Sequence, residues 1–357
     1  MSFLNYRFLC AEKRNDTSQG CVGVLFKVSK SLQRAHIQKM DRVTSVKPLS
    51  NPEVLESARA QFRVMKTYEK DGIPYLGSTF VSDFEEMFRQ ISDVKLKDDD
   101  VFLIGFMRSG NHWVSEILSM ILRQTATFTD FYFHSRFPEI MGIEVHEKFQ
   151  AIPEPRIIIT HIHPNRLPRD VLKKPVKFVY ILRNPKDTLA SWYKLTTSLN
   201  NDGDCFYGSW DEFFELQLTG EFCWGSWFQH VLAWEKFMKE NPNVPVFVVQ
   251  FEKLKEQPKD VIADLCRFLG RPDTLTEEIA TATSFENMKI GTKEKEKEAD
   301  KILMKEGETM AMVSGKTQQW KKRFTVDQNE RFDKFFEEAL AGNGLADRVK
   351  EYIGISK

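Results

Sequence analysis

Three short stretches place cations, hydroxyls and imidazoles directly behind apolar runs. The first, residues 105–113, reads Gly-Phe-Met-Arg-Ser-Gly-Asn-His-Trp and follows Val101-Phe102-Leu103-Ile104. A glycine-bearing turn between a buried strand and a helix presents backbone N–H groups and the positive helix end to an anion. Arg108 adds a planar charged fork. Ser109 and Asn111 suit either anion donation or ordinary helix capping. The second stretch, Thr160-His161-Ile162-His163-Pro164, offers His161 as a proton acceptor at a strand end, or as a satisfied buried side chain. His161 and His163 have the spacing of one strand face. No Cys, Asp or Glu cluster completes a metal set around them, so no metal is expected. The third, Arg183-Asn184-Pro185-Lys186-Asp187, precedes Ser191 by about two helical turns. Pro185 suits the first turn of a helix. Arg183 is then either a second cation at the same edge or the ion-pair partner of Asp187. Three such strand ends in one chain imply a ligand with two separated anionic groups.

The elements that must position these groups are legible as alternating strands and helices. Residues 101–106, 156–161, 176–182 and 245–251 are short, β-branched and nearly continuously apolar, as in a parallel sheet covered on both faces. Val114, Ile117, Leu118, Ile121 and Leu122 form the apolar stripe of one helix. Pro258 opens another, striped by Val261, Ile262, Leu265, Phe268 and Leu269 and stopped by Gly270. The alternation predicts an α/β fold with right-handed crossovers. Ligands in such sheets sit beyond the C-terminal ends of the strands, where all three stretches fall. Residues 1–65 read as an extension, flexible or partly helical, and residues 66–357 as the globular domain. Residues 286–306 are rich in Lys and Glu and read as a solvated helix or loop.

Composition limits the partners. The 357 residues carry 51 Lys plus Arg against 51 Asp plus Glu, so there is no global field for nucleic acid or for a membrane surface. Five cysteines without CxxC spacing read as thiols of a reducing compartment. No apolar run approaches the roughly 18 residues of a membrane span, and no signal-like apolar segment opens the chain. Cytoplasm is the expected location.

Taken in order, seven stretches resemble the cytosolic sulfotransferases, which move a sulfuryl group from 3′-phosphoadenosine-5′-phosphosulfate (PAPS) to a hydroxyl or amine. They are Asp71-Gly72-Ile73-Pro74-Tyr75, the 105–113 loop, Thr160-His161, the run from Arg183 to Ser191, residues 225–231, Thr283-Ser284-Phe285, and residues 321–330. The resemblance implies a single α/β domain whose P-loop-like strand–loop–helix holds the phosphosulfate through Arg108, Ser109, Gly110, Asn111 and His112. It implies adenine between Trp113 and Phe285 with Met312 nearby, and hydrogen bonds from Thr283 and Ser284. Arg183 and Ser191 would bind the 3′-phosphate, with Phe251 and Gly315 also lining the nucleotide. His161 would take the acceptor's proton, and Arg108 and Ser191 would join it in catalysis. The resemblance further implies a small, largely apolar acceptor, whose pocket would include the aromatic run from Phe128 to Phe133. It also implies a mobile flap over residues 286–306 and a homodimer through Lys321, Thr325, Val326 and Glu330.

The sequence also departs from the family. Its loop reads Met-Arg-Ser-Gly-Asn-His-Trp in place of Pro-Lys-Ser-Gly-Thr-Thr-Trp, so a permanently charged fork replaces an ammonium. Val313-Ser314-Gly315 stands where the family has Arg-Lys-Gly, with Lys316 next. Two charge-assisted hydrogen bonds of roughly 1.5–3 kcal/mol each are absent from that position. Phe251 replaces a tyrosine, and Ile159 a lysine. These changes leave a second reading, a non-catalytic member that binds nucleotide or a hydrophobic ligand. An ATP-dependent kinase is disfavoured because the chain lacks Gly-x-x-x-x-Gly-Lys-Ser/Thr.

Overall fold

The structure is a computed structural model that describes residues 50–76, 83–130, 133–200, 205–295, 304–306, 308 and 315–355. Its first elements are α1 (Pro52–Phe62), the antiparallel hairpin β1 (Thr67–Lys70) and β2 (Ile73–Leu76), and α2 (Phe84–Asp93). Next come β3 (Val101–Gly105), α3 (Asn111–Arg123), α4 (Val145–Gln150), β4 (Ile157–Thr160), β5 (Lys177–Leu182) and α5 (Pro185–Ser198). Then follow α6 (Trp210–Thr219), α7 (Trp227–Glu240), β6 (Val246–Gln250), α8 (Phe251–Glu256) and α9 (Pro258–Leu269). The chain ends with α10 (Thr276–Ala282), α11 (Phe285–Lys295), α12 (Val326–Ala339), α13 (Gly344–Asp347) and α14 (Lys350–Ile353).

The four expected strands form one parallel sheet in the order β4-β3-β5-β6. Leu103 lies opposite both Ile159 and Val179, which fixes the register of the three strands at the site. Parallel strands in register end together, so Gly105, Thr160, Leu182 and Gln250 all close on one edge. Both faces are covered by helices. Val114, Ile117, Leu118 and Ile121 of α3 pack with Leu103, Ile159, Val179 and the α9 stripe in one buried cluster. Gly270 stops α9 in the left-handed conformation, with φ 69°. Phe251 begins a helix instead of ending β6. Among the described residues, no helix is long and apolar enough to cross a membrane.

Residues 50–65, which read as part of an extension, are described together with the domain. Every described residue belongs to one compact unit, Val46–Lys357. The α1 helix is capped by the Asn51 side chain and buries Leu55 and Ala58. Arg59 clasps Glu221 through two hydrogen bonds of 2.7 and 2.8 Å. A stripe of two small apolar contacts is a weak sequence signal, which is why the segment reads as an appendage.

The opposite end of the sheet is closed by a buried ion pair. Arg156 donates to both Asp100 oxygens, at 2.7 and 2.5 Å, and neither side chain is more than 1% exposed. Replacing Asp100 by alanine would leave that guanidinium buried without its carboxylate. Asp100→Ala is expected to lower unfolding free energy by roughly 3–5 kcal/mol, read from urea denaturation.

Candidate active site

The β3–α3 turn admits little but its own sequence. A Cβ on Gly105 would lie 2.7 Å from Asn111 Oδ1. Gly110 has φ +105°, and a Cβ there would meet the Phe251 ring at 2.7 Å. Arg108 itself has φ 64°, an uncommon state for a residue with a side chain. Two bonds hold it there: Arg183 NH1 donates to the Arg108 carbonyl at 2.7 Å, and Arg108 Nε donates to Ser191 Oγ at 3.1 Å. The N-cap of α3 is Gly110, with no side-chain cap. Ser109 and Asn111, each open to a capping role on sequence, therefore do not cap. Ser109 Oγ and Asn111 Oδ1 are buried without hydrogen-bond partners. Buried polar atoms are almost always paired, so this uncapped helix end with two orphaned side-chain oxygens has the form of a ligand cradle.

The second cation does not pair with Asp187. Asp187 instead accepts the backbone N–H groups of Gln318 (2.6 Å) and Trp320 (3.0 Å), folding that segment against α5. Arg183 lies over the Phe251 ring, 4.3 Å from its centroid, and its Nε is buried without a partner. Burial lowers the pKa of both guanidinia, with Arg183 adding to the effect on Arg108, which falls to about 10. Both stay protonated at neutral pH.

Phe251 joins the parts. Besides Gly110 and Arg183 it meets Trp113 edge-on, with centroids 5.5 Å apart. The indole Nε1 of Trp113 donates to the Thr283 carbonyl at 2.8 Å. The Thr283 hydroxyl spends its proton on Ile279 O at 2.7 Å, so toward a ligand it can only accept. Ser284 receives the Asn287 N–H in the first turn of α11. Phe285 packs on Gly315, where a Cβ would fall 2.1 Å from the ring. Lys255 donates to the Gly315 carbonyl. Burial lowers the Lys255 pKa, and the charges of Arg183 and Lys316 push the same way, against Asp187 and Glu252. Cationic charge is therefore gathered beside Gly315, and Lys255 is the member that sequence reading missed. Met312 and the Val313-Ser314 pair lie outside the described residues.

His161 stands at the end of β4, 8% exposed. Its Nδ1 is 2.6 Å from the Gly105 carbonyl. A carbonyl only accepts, so the proton sits on Nδ1 and Nε2 is the basic nitrogen. Burial lowers the His161 pKa to about 4, with Arg108 and His134 adding to the effect and the Gly105 carbonyl opposing it. The imidazole is neutral at pH 7. Behind it, Glu139 accepts the His161 backbone N–H at 2.7 Å and the Thr160 hydroxyl at 3.1 Å. No sequence signal marked Glu139, a lone acid in an irregular aromatic segment.

The remaining expected residues are placed as follows. His163 faces the His230 ring, not His161's proton site, with centroids 5.8 Å apart, and His230 Nδ1 is 3.0 Å from the Tyr180 hydroxyl. Among the described residues no group of His, Cys, Asp and Glu could hold a metal. His112 packs on Phe133 (4.5 Å), Phe133 on Phe137 (5.1 Å), and Phe137 on His161 (5.1 Å). Phe128 lies against Gly291 of α11. Phe131 and Tyr132 lie outside the described residues, as do 296–303 of the 286–306 segment, whose residues 286–295 belong to α11.

The arrangement thus combines two buried guanidinia at the strand ends with a neutral imidazole anchored to the first residue of the β3–α3 loop. A family model described as "Sulfotransferase domain" matches residues 98–344. The chain is 33% identical over 286 residues to Sulfotransferase 1A1 of Canis lupus familiaris, covering 77% of this chain and 94% of that one. It is 31% identical over 288 residues to Sulfotransferase 6B1 of Mus musculus, covering 80% and 88%. Among solved structures, mouse sulfotransferase SULT7A1 complexed with PAP aligns with TM-score 0.64 and 28% identity, over 81% of this chain and 99% of that one. A retinol dehydratase in complex with androsterone and inactive cofactor PAP has the same fold, with TM-score 0.63 at 19% identity over 82% and 95%.

The tautomer and the depressed pKa are open to nitrogen-15 NMR of the imidazoles. His161 is expected to carry its proton on Nδ1 at pH 7 and to titrate near 4. Because the folded pKa lies below the unfolded value of about 6.5, its contribution to stability is complete above that value and is lost as pH falls through 4. A midpoint near 6.5 would contradict the burial argument.

Proposed function

This chain belongs to the sulfotransferase family, and on that premise we propose that it transfers the sulfuryl group of PAPS to a hydroxyl of a small, largely apolar acceptor, with His161 as base. The observation that carries the reading is the uncapped N-terminus of α3, with Ser109 Oγ and Asn111 Oδ1 buried and unpartnered beside two guanidinia. These residues fit a nucleotide with two anionic groups. The loop from Arg108 to Trp113 would hold the 5′-phosphosulfate, with backbone N–H groups, Ser109, Asn111 and His112 as its polar lining. Arg183 and Ser191 would hold the 3′-phosphate, with Lys255 and Lys316 supplying positive charge beside Gly315. Trp113, Phe251 and Phe285 offer flat apolar surfaces for the base, with Thr283 and Ser284 at their margin and Met312 alongside.

PAPS supplies a sulfuryl group already activated by a phosphate leaving group. The residues of this chain then have three tasks. His161 Nε2 accepts the acceptor's hydroxyl proton as its oxygen bonds to sulfur. Arg108 stabilises the charge left on the bridging oxygen when its bond to sulfur breaks; a permanently protonated guanidinium does this without donating its proton. The loop holds the reacting groups in line. The low basicity of His161 arises partly from Arg108, so an anion seated on Arg108 raises the basicity of the imidazole when it is needed. The Phe137 ring beside His161, with Phe133 packed against it, supports an apolar acceptor. Val326 supports a homodimer: it is 76% exposed at the start of α12, between Lys321 and Glu330.

Incubation with labelled PAPS and a panel of phenols, sterols and alcohols tests the transfer. Label on at least one acceptor supports it, whereas tight binding of 3′,5′-adenosine bisphosphate with no transfer favours a carrier that does not turn over. His161→Ala is expected to cut turnover by at least about 10²-fold while leaving the nucleotide's dissociation constant nearly unchanged by calorimetry. Unchanged turnover rejects His161 as base. For the dimer, Val326→Glu is expected to halve the mass measured in solution by light scattering, and a wild-type monomer would refute it.

A further inference from the structure

A buried carboxylate with no cation is an expensive feature, and this chain keeps one directly behind its imidazole. Glu139 is 3% exposed and lies in the single turn Pro138–Ile140. No ion pair to it is present among the described residues. Its charge is offset by hydrogen bonds alone: from the His161 backbone N–H at 2.7 Å, and from the Thr160 hydroxyl, 3.1 Å from each carboxylate oxygen. Thr160 Oγ1 in turn accepts the Ile162 N–H at 3.1 Å. The carboxylate therefore reaches the two successive backbone N–H groups after Thr160, directly at His161 and through the Thr160 hydroxyl at Ile162.

Sheet order explains the need. β4 is an edge strand with β3 on one side only. Alternate N–H groups of an edge strand point away from the ladder and lack a strand partner. At His161 that outward group is taken by Glu139. On the inner side, His161 Nδ1 donates to the Gly105 carbonyl at the end of β3. The same turn supplies Phe137, whose ring lies 5.1 Å from the His161 ring. Backbone and ring of the histidine are thus gripped from one turn while its Nδ1 is fixed by the neighbouring strand. The next restraint lies one residue on, where Trp234 Nε1 donates to the Ile162 carbonyl at 3.3 Å and leaves the His161 N–H to Glu139.

We propose that Glu139 is the positioning residue for His161: its carboxylate stands in for the missing neighbour strand, fixing the end of β4 so that Nδ1 stays on Gly105 and Nε2 faces the acceptor. The proposal rests on the reading of His161 as the base. Glu139 touches no reacting atom. Burial raises its pKa to about 7 while the hydrogen bonds from His161 and Thr160 act in the opposite direction, which is the electrostatic cost of keeping it there.

The test compares Glu139→Ala and Glu139→Gln, with the His161 Nδ1 proton followed by NMR in water. Glutamine retains an oxygen able to accept the His161 N–H and serves as the conservative rescue. E139A is expected to lower kcat by roughly 10²-fold with the dissociation constant of 3′,5′-adenosine bisphosphate held within about threefold. Its Nδ1 proton should shift or exchange away, and E139Q should restore both that resonance and most of kcat. The proposal is overturned if E139A keeps wild-type kcat, if its Nδ1 proton is unmoved, or if nucleotide affinity falls in step with kcat. Should the wild-type chain transfer nothing, the base assignment fails on its own, and the Nδ1 proton still decides whether Glu139 holds the ring.

Discussion

The hydrogen bond from His161 Nδ1 to the Gly105 carbonyl, 2.6 Å long, joins the buried imidazole to the β3–α3 loop. It crosses from the end of β4 to the end of β3, so it exists only because parallel strands in register finish on one edge. It fixes the tautomer, and so decides which nitrogen is basic. It also ties the imidazole to the loop that carries Arg108. Other features of the site serve to keep these two strand ends still. The α3 helix packs its apolar stripe beneath the loop, and Arg183 and Ser191 restrain Arg108 in its left-handed backbone state.

The site spends its electrostatics unevenly. Arg108 and Arg183 are both drawn into a low-dielectric setting, where burial lowers their pKa and Asp187 and Glu252 oppose that effect at Arg183. Asp187, the nearest sequence candidate to neutralise Arg183, is diverted to the backbone at Gln318 and Trp320. That diversion brings the chain after Gly315 back against α5. Lys186, one residue earlier, is fully buried and bonded to Asn329 and the Ile353 carbonyl. The C-terminal segments are thus moored to α5, the helix that follows Arg183 and carries Ser191.

Much of this was legible in the residues. Four continuous β-branched runs announced a parallel sheet, and the rule that ligands gather at the strand ends sorted three polar stretches into one site. Long-range choices were not legible. Local spacing could not say whether Asp187 takes Arg183 or two backbone amides, nor that Gly110 replaces Ser109 at the helix cap. The α1 helix reads as an appendage because only Leu55 and Ala58 are buried in it. Glu139 left no periodic trace: its importance comes from strand order, and order in a sheet is set by contacts far apart in sequence. Position 251 was seen as a lost hydroxyl, while its ring contacts with Gly110, Trp113 and Arg183 required three dimensions.

Those ring contacts give Phe251 a further consequence. One rigid aromatic ring lies against Gly110 of the loop and 4.3 Å below the Arg183 guanidinium. A shift of the loop at Gly110 therefore has to carry the ring with it, and the surface on which Arg183 rests. Such a ring behaves as a mechanical coupling: the loop, the indole of Trp113 and the guanidinium move together or stay still together.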